Sequence, residues 1–311
     1  MTTSETQLGL ADVLAAASRI REHVRETPLL TDPCLPHVLL KAEHRQSGGS
    51  FKARGAANAM LAGRAVEVVA GSSGNHGIAV AALGRRLGVS VTVMMAAGAS
   101  AAKAGVIRDL GARVVSVPGG VAQRELAARA YAEATGAVFV PSSDHELVIA
   151  GQGTVGLEIF EAAPHVDVVF VPTGGGGLLA GTCLAASVLA HPVRIVGVEP
   201  MACRRYARSV AANRPVELPP SDTIADGLRG QRPGDITFPI VRRRVDSLVG
   251  VTDIAIRDAM AALRGCGIEA EPSGAAALAG ALTSGFAGTA AVIVSGGNTA
   301  AHLTQTEKEL A

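Results

Sequence analysis

The chemistry of this chain is best sought first around one lysine. It sits in Gly49-Ser50-Phe51-Lys52-Ala53-Arg54-Gly55, at the head of a predicted helix. An amine there faces the positive end of the helix dipole, which lowers its pKa, and partial burial acts in the same direction. A lysine so depressed can form a Schiff base with an aldehyde. A lone lysine is ordinarily solvated surface, so Lys52 needs companions. Ser72-Ser73-Gly74-Asn75-His76-Gly77 offers hydroxyls, an amide and helix-terminal N–H groups, a set that suits a carboxylate beside a polar ring substituent. The same residues also read as a plain helix start with Ser73 as N-cap. Gly174-Gly175-Gly176-Gly177 lies between the apolar run VDVVFV and a helix from Leu178. Successive glycines let backbone N–H groups converge on an anion, and the following helix adds its own, so a phosphate is the natural guest. The spacing is not GxGxxG and no Lys-Ser/Thr follows, so neither a dinucleotide fingerprint nor a P-loop is supported. A flexible linker is the alternative, but linkers seldom join a core strand to a helix. Ser295-Gly296-Gly297-Asn298 follows AAVIV, where a ligand loop and a simple turn are both at home. Glu271-Pro272-Ser273-Gly274 reads as a helix start with Ser273 as candidate N-cap.

These segments fall between alternating elements. Leu10, Val13, Leu14, Ala17, Ile20 and Val24 predict an opening amphipathic helix that Thr27-Pro28 ends. Nine strands are predicted: 38–41, 66–70, 89–95, 113–117, 137–140, 166–171, 194–198, 247–251 and 290–294. Helices are predicted over 51–61, 75–87, 101–110, 121–134, 146–162, 178–190, 253–265 and 274–282. Such alternation means βαβ units and parallel sheets, whose strands read as continuous apolar runs. Nine strands are many for one open sheet, so two sheets flanking a cleft are expected. The Pro-rich segment 204–238 reads as irregular.

Composition excludes several classes. The chain has 311 residues, a net charge of +1 and few aromatics, which is not the footprint of a nucleic-acid binder. Arg242–Arg244 is a short basic run that reads as a solvated face. No apolar run reaches the length of a membrane span, and the first residues lack a signal-peptide pattern, so a cytoplasmic protein is expected. Cys34, Cys183, Cys203 and Cys266 form neither zinc nor disulfide spacing and read as buried small hydrophobes. Gly is abundant, 37 residues, without collagen periodicity.

Taken in order, KAEHRQSGGSFKARGA, SSGNHG, PTGGGG, GVEP, IADG, EPSGA and VSGGN resemble the serine/threonine dehydratase and serine racemase group of fold type II pyridoxal-phosphate enzymes. The resemblance covers nearly the whole chain. It implies a two-domain α/β fold, with 1–66 and 145–311 as a large cofactor-binding domain and 67–144 as a small mobile one. It makes Lys52 the Schiff-base lysine and general base, with Phe51 behind the ring. Asn75 would bond the ring hydroxyl, and Ser72, Ser73, Gly74, Asn75 and His76 would hold the substrate carboxylate. Gly174, Gly175, Gly176 and Gly177 would bind the cofactor phosphate, and Ser295 would face the pyridine nitrogen. A neutral hydroxyl there makes the ring a weaker electron sink and favours β-elimination over transamination. The implied reaction converts a 3-hydroxy amino acid, L-threonine or L-serine first, to a 2-oxo acid and ammonia, with the cofactor phosphate as acid toward the leaving hydroxyl. Serine racemization, with Ser73 as acid on the opposite face, and dehydration of hydroxyaspartate or an ectoine-derived compound are the alternatives.

Two departures from the family pattern carry expectations. Only 13 residues follow Asn298, so no C-terminal regulatory domain is expected. Glu199 matches the first carboxylate of the family's divalent-cation site, but Arg205 stands where an aspartate is usual. A fixed guanidinium near Glu199 would replace the metal charge, so no divalent metal is expected. The resemblance also implies a homodimer. Ten glycines (Gly71, Gly74, Gly77, Gly174 to Gly177, Gly227, Gly296 and Gly297) fall in loops expected to border cofactor or substrate.

Overall fold

The computed structural model describes residues 8–299. The N-terminal residues used for the signal-peptide reading, and the stretch after Asn298 used for the regulatory-domain reading, fall largely outside that range. Among the described residues ten strands form two sheets. The larger contains β1 (Leu29–Thr31), β2 (Val38–Lys41), β7 (Val168–Pro172), β8 (Arg194–Pro200), β9 (Ser247–Val251) and β10 (Ala290–Ile293), in the order β1-β2-β10-β7-β8-β9. Its neighbours are parallel except β1 with β2. The smaller, fully parallel sheet contains β3 (Glu67–Gly71), β4 (Ser90–Ala96), β5 (Arg113–Val117) and β6 (Val138–Phe139), in the order β5-β4-β3-β6.

Strand pleating explains why VDVVFV is apolar throughout. Val168 and Phe170 point into one core, while Val169 and Val171 point into another. The first is closed by α10 (Asp253–Gly265) and α11 (Pro272–Ser284). The second is closed by α1 (Leu10–Ile20), α6 (Glu146–Ala162) and α7 (Gly177–Ala185). The small sheet is likewise covered on both faces, by α2 (Lys52–Ala62), α3 (Asn75–Leu87) and α4 (Ala101–Asp109) on one and by α5 (Val121–Thr135) on the other. Helix packing accounts for part of the glycine surplus. A Cβ on Gly151 would come within 2.6 Å of the Arg54 carbonyl oxygen, and one on Gly153 within 2.8 Å of the Gly181 carbonyl oxygen.

Several expectations are corrected. The three-residue β1 is a tenth strand, too short for an apolar alternation to show. Segment 204–238 is not wholly irregular, since it contains α8 (Arg205–Ala211) and the start of α9 (Thr237–Arg244). Pro239 lies in the first turn of α9, where no intrahelical N–H bond is lost. The first helix ends at Ile20, not Val24. The helix from Gly177 tightens into a 3-10 turn over Ala186–Val188 instead of running to Ala190. Cys183 and Cys203 are buried, but Cys34 is exposed and Cys266 only half-buried. Arg242–Arg244 does form an exposed helix end.

Candidate active site

Each segment singled out above leaves the carboxyl end of a parallel strand or abuts one that does. Ser72 follows β3, Thr173 follows β7 and Ser295 follows β10 shortly after its last residue. The Lys52 segment is stitched to the Ser295 loop by backbone bonds, Phe51 N–H to Ser295 O at 3.1 Å and Gly297 N–H to Gly49 O at 3.0 Å. Gly48 and Gly49 both have positive φ, which turns the chain sharply into α2.

Lys52 is the first residue of α2. Its amine donates to a neutral carbonyl, Ser142 O at 2.5 Å, and lies 5.1 Å from the centre of the Phe51 ring. Burial pushes its pKa down to about 8. Arg54, two residues on, is fully buried and already paired. It bonds both oxygens of Glu43 (2.7 and 2.8 Å) and both of Glu158 (2.5 and 2.7 Å), and Lys41 joins Glu158 at 2.5 Å. This network ties the head of α2 to α6 and leaves Arg54 no part in binding a substrate.

The glycine loop is held from behind. Gly174 O accepts from Arg205 Nε at 3.1 Å. Gly175 O accepts from Tyr206 Oη at 3.0 Å and from Thr237 Oγ1 at 3.3 Å. Gly176 caps α7 with φ +88°. A Cβ on Gly177 would come within 2.8 Å of Ser143 O, so Ser142-Ser143 touches both the loop and the Lys52 amine. The first N–H groups of α7 have no intrahelical partner, which is the property an anion-binding helix start requires.

On the small sheet, Gly74 and not Ser73 is the N-cap of α3, and Ser72 Oγ accepts from Gly74 N–H at 3.2 Å. Ser73 Oγ accepts from Ala96 N–H at 3.0 Å and from Arg124 Nη1 at 3.2 Å. His76 is buried, with Nε2 against Val140 O at 2.8 Å. Burial first, then the charge on Lys52, pushes its pKa down to about 3, so the ring is neutral. Any His76 contribution to an anion is therefore made by its backbone N–H. Asn75 spans the two sheets. Its Nδ2 donates to Glu271 Oε1, and its Oδ1 accepts from Asn298 Nδ2 at 2.9 Å. Ser295 is buried and donates to Ser273 O at 3.4 Å.

Sequence reading missed two groups and misassigned a third. Glu271, not Ser273, is the N-cap residue of α11, and Ser273 Oγ instead accepts from Gly227 N–H at 2.9 Å. The Glu271 carboxyl is turned inward against Asn75, and burial pushes it up to about 7. Arg124, on α5, is half-buried, and its Nε is buried without a hydrogen-bond partner. Burial lowers its pKa. Neither group has a local signal, because only the fold brings Glu271 to Asn75 and Arg124 to Ser73. Arg205 does lie near Glu199, at 3.9 Å, but the guanidinium is held chiefly by carbonyls.

The donor set fits a phosphate-bearing aldehyde. A low-pKa amine is set beside a carbonyl, the glycine loop lies where side chains would not fit, and the head of α3 is bonded through Asn75 to the Ser295–Asn298 loop that abuts the Lys52 segment. Among the described residues no group of three or more His, Cys, Asp or Glu is placed to hold a metal ion, and no helix is long and apolar enough to cross a membrane.

Comparison with known proteins agrees. A family model described as pyridoxal-phosphate dependent enzyme matches residues 20–298. The serine racemase of Oryza sativa subsp. indica is 37% identical over 301 residues, covering 91% of this chain and 88% of the relative. The L-threo-3-hydroxyaspartate ammonia-lyase of a Pseudomonas species is 38% identical over 300 residues, covering 92% and 94%. The solved structure of maize serine racemase superposes with a TM-score of 0.90 at 35% identity, covering 97% of this chain and 97% of that one. With motifs, fold and site geometry in agreement, the chain belongs to the pyridoxal-phosphate-dependent enzymes of fold type II, in the group that contains the serine racemases and threonine ammonia-lyases.

Proposed function

We propose that this enzyme is a dehydratase that eliminates water from a 3-hydroxy amino acid, with L-threonine and L-serine as the first substrates to test. The observation that carries the reading is the Lys52 amine, depressed to about 8 by burial, between the glycine loop and the head of α3. Lys52 would hold pyridoxal phosphate covalently, the Gly174–Gly177 loop its phosphate, Phe51 one ring face, Asn75 its hydroxyl and Ser295 its nitrogen. When bound, that cofactor supplies an electron sink that acidifies the substrate α-proton. The N–H groups of Asn75 and His76, with the Ser72 and Ser73 hydroxyls, would orient the substrate carboxylate. Lys52 would take the α-proton as the β-hydroxyl leaves, since an amine with a pKa near 8 is a competent base at neutral pH. The neutral Ser295 hydroxyl does not stabilise a protonated ring nitrogen as a carboxylate would, which supports elimination over transamination. The released enamine hydrolyses to a 2-oxo acid and ammonia.

One observation favours a second substrate. Arg124 brings a half-buried positive charge to Ser73 with one donor unused, which suits the extra carboxylate of 3-hydroxyaspartate. The same guanidinium makes the Ser73 hydroxyl a better proton donor, which supports a racemase side activity. The division into 1–66 with 145–311 and 67–144, a homodimer and a cytoplasmic location belong to this proposal.

The test is a panel of L-serine, L-threonine and both 3-hydroxyaspartate diastereomers, scored for 2-oxo acid, with D-serine measured in the L-serine sample. Lys52→Ala is expected to lose the cofactor absorbance and roughly 10²–10⁴-fold or more in rate. Arg124→Met is expected to raise KM for hydroxyaspartate several-fold more than that for threonine, because only the former loses a partner for its extra carboxylate while both lose the guanidinium's hold on Ser73. A cofactor-loaded protein that releases no 2-oxo acid from any of the four substrates overturns the dehydratase reading.

A further inference from the structure

Arg205 is among the largest wholly buried side chains of the protein. A buried charge is costly unless it is matched. The nearest carboxylate oxygen, Glu199 Oε1, is 3.9 Å away, and Glu199 is already engaged by the N–H groups of Tyr206 (2.8 Å) and Ala207 (3.0 Å). The guanidinium is matched instead by four carbonyls: Thr173 O at 2.8 Å, Cys203 O at 2.9 Å, Leu228 O at 3.0 Å and Gly174 O, which accepts from both Nε and Nη2.

Two of those carbonyls belong to the glycine loop, and this has a geometric consequence. A trans peptide is planar, with N–H directed opposite to C=O. Once the Thr173 and Gly174 carbonyls point at Arg205, the N–H groups of Gly174 and Gly175 must point away from it. Tyr206 and Thr237 do the same to the next peptide through Gly175 O. Glycine peptides have no Cβ to hinder rotation, so four in succession need an external anchor to keep one orientation. An anchored loop loses less freedom on binding an anion. Arg suits the task because its planar fork grips several acceptors at fixed angles, which an ammonium does not.

We propose that Arg205 is the positioning residue of the anion cradle. It fixes the orientation of the Thr173–Gly175 peptides from behind, and so sets the affinity for the phosphate of the cofactor without touching it. This rests on the reading of the glycine loop as the phosphate site.

The test compares pyridoxal phosphate with pyridoxal, which lacks the phosphate, on the cofactor-free full chain. Their ratio of dissociation constants isolates the cradle from the Lys52 chemistry. The wild-type protein is expected to prefer pyridoxal phosphate by at least about 100-fold. Arg205→Ala is expected to cut that preference tenfold or more, with the pyridoxal constant unchanged within threefold and a shifted phosphorus resonance of the bound cofactor. Arg205→Lys, which keeps the charge but not the fork, is expected to fall between and decides the matter if the alanine variant fails to fold. A folded Arg205→Ala or Arg205→Lys variant with the wild-type ratio overturns the proposal. A wild-type protein that takes both ligands equally overturns the phosphate-loop reading itself, and a loaded enzyme with a large ratio but no lyase activity overturns only the substrate assignment.

Discussion

Gly176→Ala perturbs the cradle at one point. Gly176 has φ +88°, in the left-handed region, where a Cβ costs about 1–2 kcal/mol. That Cβ would also overlap the Tyr206 hydroxyl and lie 2.5 Å from Tyr206 Cζ and 3.1 Å from Thr237 Cβ. The tyrosine must therefore move, breaking its bonds to Gly175 O (3.0 Å) and Thr237 Oγ1 (2.7 Å). At about 1 kcal/mol each, the two bonds bring the total to about 3–4 kcal/mol. The damage falls on the cap of α7, so part of it should appear as weakened cofactor binding. Titration of cofactor-free protein with pyridoxal phosphate is expected to show at least a tenfold weaker constant, alongside a lower unfolding midpoint. Gly88→Ala is the control. Gly88 also has positive φ, +66°, but nothing lies within 4 Å of its would-be Cβ, and it caps the far end of α3. It should show the backbone cost alone, with cofactor affinity unchanged. If Gly176→Ala binds pyridoxal phosphate within twofold of wild type, the steric argument is wrong.

Two further outcomes are expected. His76 is held neutral to about pH 3 in the folded state, while an unfolded histidine takes up its proton near 6.5. Its contribution to stability is therefore complete above pH 6.5 and lost progressively as pH falls toward 3, amounting to about 2 kcal/mol by pH 5. Urea unfolding of wild type against His76→Gln at pH 7.5 and 5 measures this, and equal pH dependence in the two proteins would refute it. Because the Arg205 guanidinium supplies a fixed cation beside Glu199, activity is expected to survive EDTA unchanged. Loss of activity on EDTA treatment, restored by Mg²⁺, would count against that expectation.

Elements with a strong period were legible from the residues. The predicted spans of β2, β5, β9, α3, α6 and α10 coincide with those observed, because their flanking turns and apolar periodicities agree. Short elements without an apolar period were not. The three residues of β1 pair only with β2 at the sheet edge. The seven residues of α8 are organised around the Glu199 carboxylate, which accepts from the N–H groups of Tyr206 and Ala207. The start of α9 is fixed by Asp144, whose carboxylate accepts from the N–H groups of Asp235, Ile236 and Thr237. That partner lies about ninety residues earlier, so no local window contains it.

By itself the sequence determined the family, the lysine and the glycine loop, because these depend on residue types in short contiguous motifs with fixed backbone consequences. It also determined the strand–helix alternation that puts those motifs at the carboxyl ends of strands. Tertiary structure alone decided what surrounds each polar group. Glu271 is raised to about 7 because the fold buries it against Asn75. Arg54 is withdrawn from any ligand because Glu43 and Glu158 enclose it, while Arg124 reaches the Ser73 hydroxyl because α5 packs beside that loop. Arg205 grips the loop because the fold lays it against Thr173 and Gly174 and brings the Leu228 carbonyl back to its Nη1, beside the local carbonyl of Cys203. Burial and charge pairing are sums over neighbours distant in sequence, so they come into existence only when the chain has folded.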